Sequence, residues 1–300
     1  MIQPRMLALG AYYYATQPIR WVLRQRMAHA RTMPLSVLFY HRVADTYANG
    51  WTISNDEFQR QIRWIRRHFD IVSLEEIQRS VASGENPRPA VAITFDDGYA
   101  ENCDRAIPFL IENEIPFTYF VSLGHVIDQE PFPHDREAKR PLPINTPEQL
   151  REMASAGVEI GAHTRTHCDV NKVTDPEQLV DEVVTATKEL ERLVRSDIRY
   201  FAFPFGQVDN LSAAAVRLLK RNGIKGYCSA FGSYNIPGED SFHLRRIHGD
   251  PEFIRLKNWL SIDPKKLHHG RDFRLPESGV TVEQVRRMSM PEEVGVESHS

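Results

Sequence analysis

Apolar residues fall into two alternating patterns along the chain. Short unbroken runs, such as 35–40 (Leu-Ser-Val-Leu-Phe-Tyr) and 90–95 (Ala-Val-Ala-Ile-Thr-Phe), predict strands buried on both faces. Between them lie stretches where apolar residues recur every three or four positions, the spacing of a helix with one buried stripe. Phe58, Ile62, Ile65 and Phe69 form one such stripe, with Asn55 or Asp56 as its N-cap. A short strand at 70–74 leads to a helix reaching about residue 82, opened by a Ser73–Glu76 capping box. Residues 99–114 predict a helix in which Pro108 forces a kink or a late start. A strand at 116–121 follows, then a long proline-rich loop, 124–145. Thr146-Pro147 opens the next helix, and 158–162 is a strand. Asp175 begins a long helix striped by Leu179, Val183, Ala186, Leu190 and Leu193. Strands at 199–203, 226–230 and 243–248 and helices at 211–221 and 251–260 complete the series.

Seven or eight strands alternating with helices mean a parallel sheet covered by helices, open or closed into a barrel. A barrel brings the C-terminal end of every strand to one face. The chain's most chemical residues all follow predicted strands. Asp96 and Asp97 end the strand 90–95, and Gly98 turns the backbone there. Two carboxylates held that close demand a cation or donor, since otherwise one takes up a proton. His163 and His167 follow the strand 158–162. If that segment makes a helical turn, both imidazoles share one face and can share a metal. Two His and one carboxylate form a common catalytic metal shell.

Composition narrows the function classes. The chain has 300 residues, 41% of them hydrophobic and 26% charged, and a net charge of −3. That suits one large α/β domain or two smaller ones and supplies no global basic field for nucleic acid. Cys103, Cys168 and Cys228 are odd in number and far apart, so neither a disulfide framework nor a cysteine-based zinc knuckle is indicated. The phosphate-cradling glycine loops and the Gly-x-Ser-x-Gly nucleophile turn are absent.

The N-terminal segment, 1–33, stands apart. Residues 6–15 form an apolar run with three tyrosines, too short to span a bilayer and lacking a cleavage site. Residues 19–31 mix Trp21, Val22, Leu23 and Met27 with Arg20, Arg24, Arg26 and Arg31. One reading is a basic amphipathic helix on an anionic membrane surface. The other, slightly favoured, is a helix packed on the outside of the fold. The expected location is the cytoplasm, with peripheral membrane contact as the variant. Residues 34–262 form the main domain, and 263–300 a polar, loosely ordered tail.

Two motifs carry a family resemblance. Thr94-Phe95-Asp96-Asp97-Gly98 and His163-Thr164-Arg165-Thr166-His167 resemble the first two motifs of the polysaccharide deacetylases, the NodB-homology or carbohydrate esterase family 4 proteins. The resemblance covers roughly 35–260. It implies a distorted (β/α)7 TIM-like barrel and a divalent metal (zinc, with cobalt or nickel as alternatives) held by Asp97, His163 and His167. It implies Asp96 as general base toward metal-activated water, and an N-acetylated or O-acetylated glycan as substrate. The third motif, usually Arg-x-Pro-Tyr/Phe-Gly, survives here as Pro204-Phe205-Gly206, with Ala202 where the arginine belongs. Arg199, Arg245 or Arg246 could take over that arginine's role, orienting the base. His248 and His41 are the candidate proton donors, and His134-Asp135 is read as ordinary loop polarity. Tyr99, Pro204 and Phe205 are the expected substrate contacts, and Tyr227, Phe231 and Tyr234 further aromatics that could line a sugar wall.

Two rival readings stand beside the deacetylase. One is an amidase or deformylase of the same fold, acting on a small cyclic amide or a nucleotide-linked sugar in a closed groove. The other is a glycan-binding protein with a degenerate site, which Ala202 favours and the intact Asp96, Asp97, His163 and His167 oppose. The sequence leaves metal identity, linkage and oligomeric state open.

Overall fold

The computed structural model describes residues 4–249, 251–270, 273–276, 279–281 and 283–285. Seven parallel strands close into a barrel: β1 (Leu35–Tyr40), β2 (Ala90–Phe95), β3 (Phe117–Val121), β4 (Glu159–Ala162), β5 (Tyr200–Ala202), β6 (Gly226–Ser229) and β7 (His243–His248). Each pairs with the next, and β1 closes the ring by pairing with both β2 and β7. The β1–β2 seam runs the full strand length, from Leu35 opposite Ala90 to Tyr40 opposite Phe95. The β4–β5 seam is held by the single pair Ala162–Phe201, and there the barrel is most distorted. A two-residue strand, Asp70–Ile71, lies against the start of β2.

Every residue of β1, β2 and β3 is buried, because both faces are covered. The barrel interior holds Val37, Ala92, Phe120, Tyr200, Ala202, Cys228 and Leu244. Leu74, Ile77 and Val81, on the helix Leu74–Ser83, belong to the same cluster and stop the barrel at the strands' N-terminal end. The Ser73–Glu76 capping box starts that helix as expected. The larger core lies between the outer face of the barrel and the surrounding helices.

Local chemistry shifts several element boundaries. Ser54, not Asn55 or Asp56, caps the helix Asn55–His68, its side chain accepting from the Glu57 N–H. Pro108 produces a late start: a single 3₁₀ turn, Ala100–Cys103, precedes the helix Ala106–Glu112. The long loop after β3 contains two short helices, Leu123–Asp128 and Pro133–Glu137. The long helix after β4 carries a π-helical segment, Asp181–Thr185, between Pro176–Val180 and Ala186–Val194.

At the chain's start, Pro4–Ala15 and Gln17–His29 are two successive helices. They dock on the barrel: Tyr12 hydrogen-bonds Asp263 at 2.7 Å, and Arg20 donates to the carbonyl and side chain of Asn258 at 2.9 and 2.6 Å. In the expected loose tail, Val280 and Val285 are buried, while 286–300 lie outside the described residues.

Candidate active site

The strand ends converge at the C-terminal mouth of the barrel on a cavity of about 550 Å³. Its lining includes Asp96 and Asp97 from the end of β2, His163 and His167 from the end of β4, His41 from the end of β1, and His248 from β7.

Asp97 adopts a left-handed backbone (φ 74°), and Gly98 continues the turn (φ 91°). The turn aims both carboxylates into the mouth rather than to opposite sides. His163 and His167 reach Asp97 by a route other than a helical turn. Thr164 and His167 both take positive φ, 63° and 59°, in an irregular loop. That loop sets the imidazole centroids 5.1 Å apart. His163 Nε2 lies 3.5 Å and His167 Nε2 3.3 Å from Asp97 Oδ1. One ligand atom from each residue falls within 4.8 Å of the others.

These residues fit a divalent cation. Asp97 Oδ1 is buried and accepts no hydrogen bond from the described residues, a costly position for an anionic oxygen unless a cation faces it. His163 Nδ1 lies 2.7 Å from the Ala202 carbonyl, which fixes the proton on Nδ1 and leaves the Nε2 lone pair directed at Asp97. Burial pushes the Asp97 carboxyl upward, but the neighbouring imidazoles of His163, His167 and His41 outweigh it and hold it well below the usual range.

Asp96 is organised differently. Arg246 donates to both of its oxygens, Nη1 to Oδ1 at 2.6 Å and Nη2 to Oδ2 at 2.8 Å. The guanidinium also donates to Thr94 Oγ1 and to the Ser229 carbonyl. It lies between the rings of Phe39 and Phe120, 4.8 and 5.5 Å from their centroids. Burial raises the Asp96 pKa, yet the charge of Arg246 overrides it and leaves the carboxyl below its ordinary value. Of the three arginines the sequence leaves open, the structure selects Arg246. Arg199 pairs outside with Glu75 and Glu159, and Arg245 with Glu239. Gly161 contributes from β4: a Cβ there would stand 2.3 Å from the Phe120 ring that covers Arg246.

His41 keeps one side toward the cavity but sits deep enough that burial lowers its pKa to about 4, against the pull of Asp97 and Asp96. His248 faces it with ring centroids 5.9 Å apart, placed by the register that sets His248 opposite Phe39. Phe205 projects from the Pro204-Phe205-Gly206 turn with φ 61°, 56% exposed, its ring 5.1 Å from that of His167.

Tyr99 is not on the wall. The chain turns inward after Gly98, and Tyr99 is buried against Phe132, its hydroxyl bound to His134 Nε2 and to Asp135. Pro204 is buried behind Phe205 and stays out of the lining. Tyr227 and Tyr234 are core residues, and Phe231 packs beside the core against His243 and Phe273. Conversely, His134, read from the sequence as loop polarity, lines the cavity. So does Trp51, half exposed and 5.3 Å from His41. Its only sequence signal is a tryptophan in a polar, glycine-containing loop.

Comparisons with known proteins agree with this arrangement. The family model described as polysaccharide deacetylase matches residues 83–227. YxkH of Bacillus subtilis, named for the same family, is 27% identical over 178 residues, 58% of this chain and 57% of that one. The matched stretch thus spans little more than half of that relative. The poly-beta-1,6-N-acetyl-D-glucosamine N-deacetylase of Staphylococcus epidermidis is 25% identical over 227 residues, covering 72% of this chain and 75% of the relative. Among solved structures, IcaB from Ammonifex degensii superposes with a TM-score of 0.63 at 24% identity, over 77% of this chain and 98% of that one. This likeness shows a shared fold.

Proposed function

We propose that this chain is a member of the polysaccharide deacetylase family, whose model it matches over residues 83–227, and a metal-dependent hydrolase removing N-acetyl groups from an amino-sugar polymer. The observation that carries the reading is the convergence of Asp97, His163 and His167 on one point, beside a second carboxylate fixed by its own arginine.

Asp97, His163 and His167 would hold the cation, which when bound supplies Lewis acidity to an amide carbonyl and to water. Asp96 is ionised at neutral pH and accepts the proton of the attacking water. Both its oxygens are engaged by Arg246, but each carboxylate oxygen keeps a second lone pair for that proton. Arg246 keeps the base charged and fixes its rotamer. His248 is the group we place at the departing amine, to which it delivers a proton. His41, neutral because of its burial, shapes the wall beside it. Phe205 and Trp51 present rings at the open mouth to the apolar faces of a pyranose.

The substrate class follows the name of the staphylococcal relative: a polymer of N-acetylglucosamine. The open mouth supports a polymer over the small cyclic amide of the rival reading. The test is acetate and free-amine release from N-acetylglucosamine oligomers by the metal-loaded protein, beside an O-acetylated oligomer. Release of amine is expected. Its absence with zinc, cobalt and nickel alike, while metal still binds, would leave a glycan-binding protein.

A further inference from the structure

The two N-terminal helices carry an apolar surface that nothing in the described structure covers. On Pro4–Ala15 the exposed positions are Pro4, Arg5, Leu7, Ala8, Ala11, Tyr14 and Ala15. Apart from Arg5, they form one helical stripe whose single polar side-chain group is the Tyr14 hydroxyl, the reverse of what a surface helix presents to water. The stripe continues over Pro18, Ile19 and Val22 onto the second helix. Leu7 is 61% exposed, Tyr14 68% and Trp21 64%. The opposite sides of both helices are tied down by the Tyr12–Asp263 and Arg20–Asn258 bonds, so the exposed stripe belongs to a docked element.

Charge commits this surface to one kind of partner. Residues 1–31 contain five arginines and no Asp or Glu, in a chain whose net charge is −3. Arg24 and Arg26 are exposed beside Trp21 and Val22. A groove of about 270 Å³ opens between these helices and the N-terminal ends of β1 and β2. It is lined by Arg24, His68 and Lys257 with Trp21 and Trp64, and by the buried Arg20, which pairs with Asp263 at 3.9 Å; among the described residues no Asp or Glu lines it. Trp21 belongs to both the groove and the exposed stripe. Apolar side chains, interfacial aromatics and exposed cations together match the boundary of an anionic bilayer. Among the described residues no helix is long and apolar enough to cross a membrane, so the contact is one of lying on the surface.

We propose that the helices Pro4–Ala15 and Gln17–His29 dock the protein on an anionic lipid surface, the Leu7–Tyr14 stripe entering the headgroup boundary and the cationic groove receiving lipid phosphates. The catalytic mouth lies at the opposite end of the barrel strands from that groove. The proposal is independent of the reaction assigned to the site.

The test is co-sedimentation of the full chain with vesicles of phosphatidylcholine alone and of phosphatidylcholine mixed with phosphatidylglycerol. Binding is expected to the mixed vesicles only and to weaken with added salt. Reversing two cations, Arg24→Glu with Arg26→Glu, should weaken it by on the order of tenfold. Leu7→Glu with Tyr14→Glu should abolish it. All four positions are exposed, so thermal midpoints should match the wild type, separating lost docking from lost folding. Equal binding to neutral vesicles, no binding to either, or variants that sediment like the wild type would overturn the proposal. So would a dimer in solution that the Leu7→Glu, Tyr14→Glu variant dissolves without any lipid binding, since a second copy would then cover the stripe.

Discussion

Arg246 grips Asp96 with two hydrogen bonds across 150 positions of sequence, joining the last barrel strand to the second. Ala202 packs inside the barrel where the resemblance leads one to expect an arginine, so the charge beside Asp96 comes from a different strand. Arg246→Met should therefore lower kcat far more than it changes KM. Breaking a buried pair by removing one partner costs roughly 3–5 kcal/mol. Without the guanidinium, burial raises the Asp96 pKa, so the acidic limb of the pH–kcat/KM profile should move to higher pH. Arg246→Lys, which keeps the charge but loses the two-point geometry, should restore part of the rate. The profiles of both variants, with their melting temperatures, check this. An unmoved acidic limb in Arg246→Met would mean that Arg246 does not govern the base.

The metal prediction concerns Asp97. Elemental analysis of the purified protein should find about one divalent ion per chain, and Asp97→Asn and His167→Ala should each lose it. Bound metal should also raise the melting temperature, because a ligand that binds only the folded state stabilises by about 2.7 kcal/mol at a hundredfold excess over Kd. A wild type that shows neither metal nor a thermal shift with zinc, cobalt or nickel would remove the hydrolytic reading.

Two buried histidines set the response to acid. Burial lowers His41 to about 4 and His243 to about 3, the latter hydrogen-bonded to Ser229 and stacked on Tyr227. Above pH ~6.5, the ordinary histidine value, both are neutral whether folded or unfolded, and the protein bears no penalty. Below it the unfolded chain takes up protons that the fold refuses. Stability should therefore fall by about 1.4 kcal/mol per pH unit for each histidine down to its folded pKa. Urea unfolding at pH 7 and pH 5 reads the slope, and His243→Asn should make it shallower by one histidine's share.

Phe205 should separate binding from stability. Its ring is exposed and its backbone sits at φ 61°, where a bulky residue is strained. Phe205→Gly should leave the melting temperature unchanged or raise it while KM for oligosaccharides rises roughly tenfold, about 1.4 kcal/mol of lost binding. A KM that stays put would take the ring out of the substrate wall.

The barrel and the cluster of Asp97, His163 and His167 were legible because their signals are local. Buried strands read as unbroken apolar runs, and Asp96, Asp97, His163 and His167 stand directly after them. Tertiary choices were not legible. Arg245 and Arg246 are neighbours on one strand, so their side chains point to opposite faces, and only the register of β7 against β1 decides which enters the barrel. The histidine pair converges through two left-handed residues that the sequence does not announce, since Thr is an unusual occupant of that region. Tyr99 looked like a wall residue because it follows the Asp-Asp-Gly turn, yet the same turn folds it inward toward Asp135.

The closure of the barrel by β7 orders events in time as well as in space. Synthesis delivers Asp96, Asp97, His163 and His167 long before Arg246 exists. Until β7 slots between β1 and β6, Asp96 lacks both its guanidinium partner and the closed wall that buries it. A nascent chain therefore carries the recognisable motifs before the strand that holds Asp96 exists. The strand that completes the fold also delivers the partner of Asp96, so that closing the barrel and fixing that carboxylate are one event.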